Sequence, residues 1–291
     1  MRARLFNDTL VMAAGWMGVM IASFLLQMIA VRELSENLGV FQILFIRSGV
    51  SLAIVMPLIA VRGARLLRTD RIGMHMARNG VNFVAQAAWA YGVAMLPLAA
   101  VTALEFSTPL WVALLAALFL GERLSRHRVI AVTSGFVGVL IILRPGVEAV
   151  QLAALVVLGS ALCFAISNVI AKSLTRTEGT LTIVIWMQII QLPIGFLACI
   201  WSWTDPVWDD APWLIVIGIT GLTAHYAMAK ALSLSDITVV MPIDFLRLPL
   251  AGLVAYAVYR EPVSIFVFLG AALMFAGNFH SVWRERGESR T

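Results

Sequence analysis

Long apolar runs alternate with short polar connections along the whole chain. Ten runs of about 20 residues occur at 10–30, 40–61, 74–94, 98–120, 128–144, 152–174, 180–201, 212–232, 237–259 and 264–282. An apolar helix of about 20 residues crosses the roughly 30 Å of a bilayer's hydrocarbon core. The pattern therefore predicts an all-α integral membrane protein with ten transmembrane helices. The connections leave no room for a soluble domain. The first run follows MRARLFNDTL, whose charges resemble a signal peptide's start, but it is read as a retained helix. Removing it would break a five-plus-five arrangement.

That arrangement is visible in the polar interruptions. VTALEFSTPLWVALLAALFLGE (101–122) carries Glu105 four residues before Pro109, and VMPIDFLRLPLAGLVAYAVYRE (240–261) carries Asp244. Each acid stands 17 residues before a second, Glu122 or Glu261, and the two pairs are offset by 139, close to half the chain. At the same offset Phe106 meets Phe245 and Gly138 meets Gly277. Pro109 and Pro249 miss alignment by one residue, and Arg32 meets Lys172 at offset 140. Five spans is an odd number, so a tandem copy enters the membrane from the opposite face. The expectation is two inverted five-helix repeats, 1–147 with helices 1–5 and 148–291 with helices 6–10, the plan of many secondary carriers. Glu105 and Asp244 each lie about eight residues into their span, roughly 10–12 Å at 1.5 Å per residue, near the bilayer midplane.

A charge at that depth costs at least about 2.5–3.5 kcal/mol and must face protein or water. Pro109 lacks an N–H, so the Glu105 carbonyl loses its helical partner and needs a cavity or a neighbouring donor. Pro242 and Pro249 flank Asp244 in the same way. Two acids beside broken helices read as a substrate or proton site. The alternative is a structural ion pair, Asp244 with Arg247 one turn away and Glu105 with Arg78 or Arg47; such pairs and the two prolines, Pro109 and Pro249, are also gating candidates. Span 3 carries the clearest polar stripe: Asn79, Asn82, Gln86 and Trp89 share one helical face, with His75 and Arg78 near its cytoplasmic start. Amides donate and accept, which suits an uncharged or zwitterionic organic ligand; interhelical hydrogen bonding is the alternative. Span 1 offers Trp16, Met20, Ser23 and Gln27, span 6 offers Ser160, Ser167 and Asn168, and span 8 offers Thr220, Thr223, His225 and Tyr226. The candidate substrate-binding residues are Gln27, Asn79, Asn82, Gln86, Trp89, Glu105, Asn168, Tyr226 and Asp244.

Composition agrees with the spans: 61% of the residues are hydrophobic and 13% charged, more apolar surface than a soluble fold hides. The net charge of +5 becomes informative once it is distributed. With the N-terminus in the cytoplasm, that side holds Arg2, Arg4, Arg62, Arg65, Arg68, Arg71, Arg123, Arg126, Arg128, Lys172, Arg176, Lys230, Arg284, Arg286 and Arg290, against Arg32, Arg144 and Arg260 outside. This is a positive-inside pattern with both termini cytoplasmic, and it accounts for the basic bias without a nucleic-acid partner. The outer connection WTDPVWDDAP (203–212) is acidic, and Trp201, Trp203 and Trp208 form an aromatic belt. Glu122 and Glu261 are read as interfacial, pairing with Arg123 or Arg260 or capping a turn. Cys163 and Cys199 lie in apolar segments and read as packing residues. No metal-ligand spacing, phosphate loop or nucleophile motif is present, so neither a metal, another cofactor nor an enzyme is expected.

PLAAVTALEFSTPLWVALLAALFLGERLSRHRVIAVTSGFVGVLIILRPG (97–146) resembles the first EamA repeat of the drug/metabolite transporter superfamily, and LSLSDITVVMPIDFLRLPLAGLVAYAVYREP (232–262) resembles the second. The shared pattern is a proline, about a dozen apolar residues, then Gly-Glu; in the second copy Arg260 replaces the glycine. The resemblance implies ten helices around a cavity bordered by spans 1, 3, 4, 6, 8 and 9. TALEFSTPLW and DFLRLPL resemble a bacterial branch with riboflavin and S-adenosylmethionine uptake carriers. The expected function is a secondary transporter in the bacterial inner membrane, moving a small organic metabolite by alternating access. A riboflavin-like vitamin or nucleoside-type solute fits best, with a coupling proton at Glu105 or Asp244. Export of amino acids or drugs is the alternative, and an intramembrane enzyme or lipid scramblase is the alternative of another class.

Overall fold

A computed structural model describes residues 2–120, 126–144, 151–234, 243–244 and 246–288. Its helices are α1 (Arg2–Leu34), α2 (Val40–Arg62), α3 (Ile72–Met95), α4 (Leu98–Glu105), α5 (Thr108–Leu120), α6 (Arg126–Leu143), α7 (Leu152–Leu174), α8 (Thr180–Cys199), α9 (Ala211–Leu234), α10 (Arg247–Tyr259) and α11 (Ile265–Glu288). No strand occurs among the described residues. Hydrocarbon offers no partner to a backbone N–H or C=O, so apolar segments become helices that satisfy their own backbone. Segments within α1, α2, α7, α8 and α9 are long and apolar enough to cross a membrane. The 24-residue α3 is long enough too, but its buried polar stripe dilutes its apolar character. Span 4 divides into α4 and α5, and α10 forms the second part of span 9. Pro242, Glu122, Arg123 and the junction between the halves at 145–150 lie outside the described residues.

Packing follows a two-fold rule. Besides α2 on α9 and α5 on α7, the helices of the two halves pack as α1 on α9, α3 on α7, α2 on α8, α6 on α11 and α4 on α10. In spans these are 1 with 8, 3 with 6, 2 with 7, 5 with 10 and 4 with 9. An axis that carries each span onto the one five places later exchanges the first two pairs and leaves the other three unchanged. Local geometry repeats as well. Gly39 and Gly179 cap α2 and α8 with nearly the same extended backbone, φ −67° and ψ 146° against φ −72° and ψ 150°. Before them, Leu38 N–H donates to the Leu34 carbonyl at 2.8 Å and Glu178 N–H to the Leu174 carbonyl at 2.9 Å. Small residues let the central helices meet: a Cβ on Gly138 would lie 2.6 Å from the Gly270 carbonyl oxygen. Many large apolar side chains also cover the surface, with Trp201 89% and Trp208 92% exposed, as expected of a belt at a lipid–water boundary.

Arg260 follows α10 with φ 54° and ψ 25°, a left-handed conformation that turns the chain toward Glu261. Glycine adopts this region freely, whereas an L-residue is strained there by about 1–2 kcal/mol. That explains why the Gly-Glu pattern suits this corner and why Arg260 is a costly departure. Arg260→Gly is expected to raise the thermal unfolding midpoint of detergent-purified protein, equivalent to about 1 kcal/mol. Arg260→Ala, which keeps the Cβ, should give no such gain; an equal gain from alanine would assign the effect to the lost charge instead.

Candidate functional site

The break in span 4 comes from its own sequence. Pro109 has no N–H to return to Glu105, and the Thr108 hydroxyl takes the vacated role, donating to the Glu105 carbonyl at 2.7 Å. The Ser107 hydroxyl similarly donates to the Leu104 carbonyl at 2.7 Å. Helix α5 restarts with Leu110 N–H on the Ser107 carbonyl at 2.9 Å. The second half repeats the break 139 residues later. Ser107 N–H donates to the Leu104 carbonyl at 3.0 Å, and Leu246 N–H to the Ile243 carbonyl at 3.1 Å. The one-residue slip of Pro249 shows in the restart, where Leu250 N–H reaches back to Leu246 at 3.4 Å.

Both breaks deliver charges that their helices disfavour. Glu105 ends α4, where the helix dipole is negative, and Arg247 begins α10, where it is positive. Because α4 packs on α10, each relieves the other. Arg247 Nη1 lies 3.3 Å from both Glu105 carboxylate oxygens, and Nη2 lies 3.2 Å from Asp244 Oδ2. The guanidinium also sits 4.1 Å from the Phe24 ring centroid and 5.2 Å from that of Phe106. Trp89 packs against Phe24 with ring centroids 5.1 Å apart. Glu105 and Arg247 are buried. Sequence reasoning paired Glu105 with Arg78 or Arg47; the structure corrects this, because the cation that crosses it is carried by α10.

Arg47 and Arg78 stand elsewhere. Arg47 is fully buried and donates to Gln86 and, at 2.7 Å, to Gln191 Oε1 on α8. A Cβ at Gly221 would lie 2.9 Å from Arg47 Cδ, so the glycine opens the passage past α9. Asn82 Oδ1 accepts from Gln86 and, at 3.0 Å, from Gln191, while its Nδ2 donates to Ser167 Oγ on α7 at 3.1 Å. Arg78 donates to Asn79 Oδ1 at 3.1 Å. The α3 stripe is thus a network joining α2, α7 and α8, and Trp89 carries its line to the Glu105 cluster. Gln188 and Gln191 were missed from sequence, although two glutamines three residues apart in an apolar span are a visible signal. Other candidates are dispersed. Gln27 is buried, Tyr226 packs edge-on against Trp16 at 5.7 Å, and Ser23 accepts from Thr223 at 2.8 Å. Asn168 is exposed, and its neighbour Ser167 makes the buried contact instead. Pro109 is half-buried and Pro249 exposed.

The rims differ. At one rim, Arg32 holds Glu261 at 2.8 Å and donates to the Leu96 carbonyl at 2.6 Å; Glu261 also accepts from Leu98 N–H at 3.0 Å. Tyr259 donates to Glu33 at 2.7 Å. Glu261 therefore pairs across the halves rather than with the adjacent Arg260, and caps the start of α4. On the other rim, His75 Nε2 meets Glu178 at 2.6 Å, Thr69 donates to the same carboxylate, and Arg71 donates to the Ser173 carbonyl at 2.9 Å. An open cavity of about 680 Å³ lies beside them, lined by Leu67, Arg68, Asp70 and Trp186 among others.

Apolar spanning helices, inverted halves and polar side chains gathered where two broken helices cross define a membrane carrier. The EamA-like transporter family model matches twice, at residues 12–144 and 151–283. The chain belongs to that family and is a transporter, not an enzyme. It is 31% identical to a riboflavin transporter of Brucella anthropi, over 83% of this chain and 87% of that one. It is 30% identical to a riboflavin transporter of Rhizobium johnstonii, over 84% and 82%. An S-adenosylmethionine uptake transporter of Rickettsia bellii is 25% identical over 94% of both chains. A crystal structure superposes with a TM-score of 0.66 over 94% of this chain and 97% of its own, at 16% identity, which speaks for the fold alone.

Removing one member of a buried ion pair strands the remaining charge, at about 3–5 kcal/mol. Arg247→Gln is therefore expected to lower the unfolding midpoint sharply, and the triple variant Glu105→Gln, Asp244→Asn, Arg247→Gln to recover most of the loss. Thermal unfolding in detergent measures both; an unchanged midpoint for Arg247→Gln would show that the cluster contributes nothing to stability.

Proposed function

We propose that this carrier moves a flat, polar-edged solute of the riboflavin or nucleoside type across the bacterial inner membrane by alternating access. The units that move against each other are residues 1–147 and 148–291, and both termini are cytoplasmic. The observation that carries the reading is the shared Arg247: two mirrored acids from opposite halves meet one cation where the broken helices cross. A contact made of both halves breaks or re-forms whenever they rock. Two carboxylates and one guanidinium leave one negative charge, which a proton or a cationic group of the solute neutralises. Trp89, Phe24 and Phe106 around the cluster supply faces for a planar ring. The amides of Asn79, Asn82 and Gln86 supply donors and acceptors for its polar edge once the network opens. The names of the relatives support the solute class, and the basic cytoplasmic connections support the orientation.

In this cycle Arg32–Glu261 and Tyr259–Glu33 hold the outer side closed, and the cavity beside Trp186 leads inward. Glu105→Gln keeps the shape and removes the titrating group. It is expected to abolish riboflavin uptake driven by a pH gradient in vesicles while the protein still inserts. Undiminished driven uptake would remove Glu105 from the coupling step, and loss of insertion would assign it to structure.

A further inference from the structure

The interior holds a second charge imbalance, of opposite sign, and the carrier reading above leaves it unexplained. Arg47 is 0% and Arg78 7% exposed. Among the described residues neither has a carboxylate partner: the ion pairs formed there engage Arg32, His75 and Arg247. Arg47 is bound by two neutral glutamines and Arg78 by a neutral asparagine. Arg47 reaches α3 at Gln86, and Arg78 stands about two turns earlier on the same helix, on the other side of Asn82. Two cations buried among amides are far more expensive than the same cations beside an anion.

Hydrogen-bond accounting points the same way. Arg47 Nε, Arg78 Nε and Asn79 Nδ2 are buried donors without an acceptor, while Gln188 has both its Nε2 and its Oε1 unpaired. Asn79 lies one turn before Asn82 on α3 and Gln188 one turn before Gln191 on α8, so both amides border the network at a similar level. The carboxamide oxygens of Asn82, Gln86 and Gln191 are occupied by donors already present. A site with surplus donors and surplus positive charge is complementary to an oxyanion, and a guanidinium binds phosphate or carboxylate through a two-pronged fork.

We infer that Arg47 and Arg78 form the seat for an anionic oxygen group, a phosphate or carboxylate, carried by the transported solute itself. The inference rests on the carrier reading and narrows it: the preferred solute is the anionic member of its class, with its planar part toward Trp89 and its anionic part between α2, α3 and α9. The surplus negative charge at Glu105 and Asp244 then lies on the far side of the solute from its own negative group, so the two clusters orient the molecule as well as hold it.

The test uses the full chain in nanodiscs, titrated with riboflavin, riboflavin 5′-phosphate and inorganic phosphate and read by tryptophan fluorescence and thermal shift. The 5′-phosphate is expected to bind about tenfold more tightly than riboflavin, and inorganic phosphate to compete with it. Arg47→Gln and Arg78→Gln should each bring the ratio close to one. Arg47→Lys keeps the charge without the fork and should retain part of the preference, which guards against a glutamine variant that fails to fold. Equal affinity for the two flavins, or a preference that survives both substitutions, overturns the inference and leaves the carrier reading standing. If neither flavin binds, the flavin reading falls, and phosphate decides the inference alone. Protection of wild type but not of Arg78→Gln against heating supports it, and no protection overturns it.

Discussion

A charge left alone in hydrocarbon is the most expensive thing a membrane helix can carry, and the centre of this protein is arranged around avoiding it. Glu105 and Asp244 occupy equivalent positions in the two halves. Their helices are broken by prolines whose missing N–H is replaced by side-chain hydroxyls in one half and by a shifted restart in the other. Neither acid has a cation at its own mirrored position; both use Arg247, which the repeat aligns with Thr108. The crossing of α4 and α10 therefore fixes the electrostatics and the geometry together. The Phe24 and Phe106 rings lie against the guanidinium.

Around that crossing the packing is an exchange between halves. Span 1 lies on span 8 as span 3 lies on span 6, and spans 2, 4 and 5 each also pack on their own copy. Neither half builds a closed core by itself, so the two-fold relation is a condition of stability as much as a record of duplication. Close approach of backbones at Gly138 and Gly270 serves the same end, because helices in lipid gain nothing from hydrophobicity and must rely on contact.

Much of this was legible from the chain alone. Span length, charge asymmetry and the 139-residue offset predict the helices and their inversion, because bilayer thickness and the cost of charge act on local sequence. Pro109 marked the break for the same reason. What escaped was partnership. Glu105 and Arg247 are 142 residues apart, and periodicity says which face a residue occupies but not which helix faces it. The amide stripe on α3 was visible, yet its anchors on α8, Gln188 and Gln191, acquire meaning only once α8 lies opposite. Glu261 was expected to pair with Arg260 or to cap a turn; it caps α4 but pairs with Arg32, because the left-handed turn at Arg260 swings the carboxylate toward α1 and α4.

The single arginine has a consequence for direction. Were the two halves identical, the states open to either side would be related by the two-fold axis and equal in energy. Here the cation travels with the second half alone, and the acids it must satisfy differ in length by one methylene. In that proposed rocking, Arg247 would stay tied to Asp244 through its own chain and lose or regain Glu105. Opening toward one side thus separates a charge pair that opening toward the other need not. On the rocking cycle proposed above, the empty carrier would then rest unevenly between its two faces, biased by one side chain that the repeat does not duplicate.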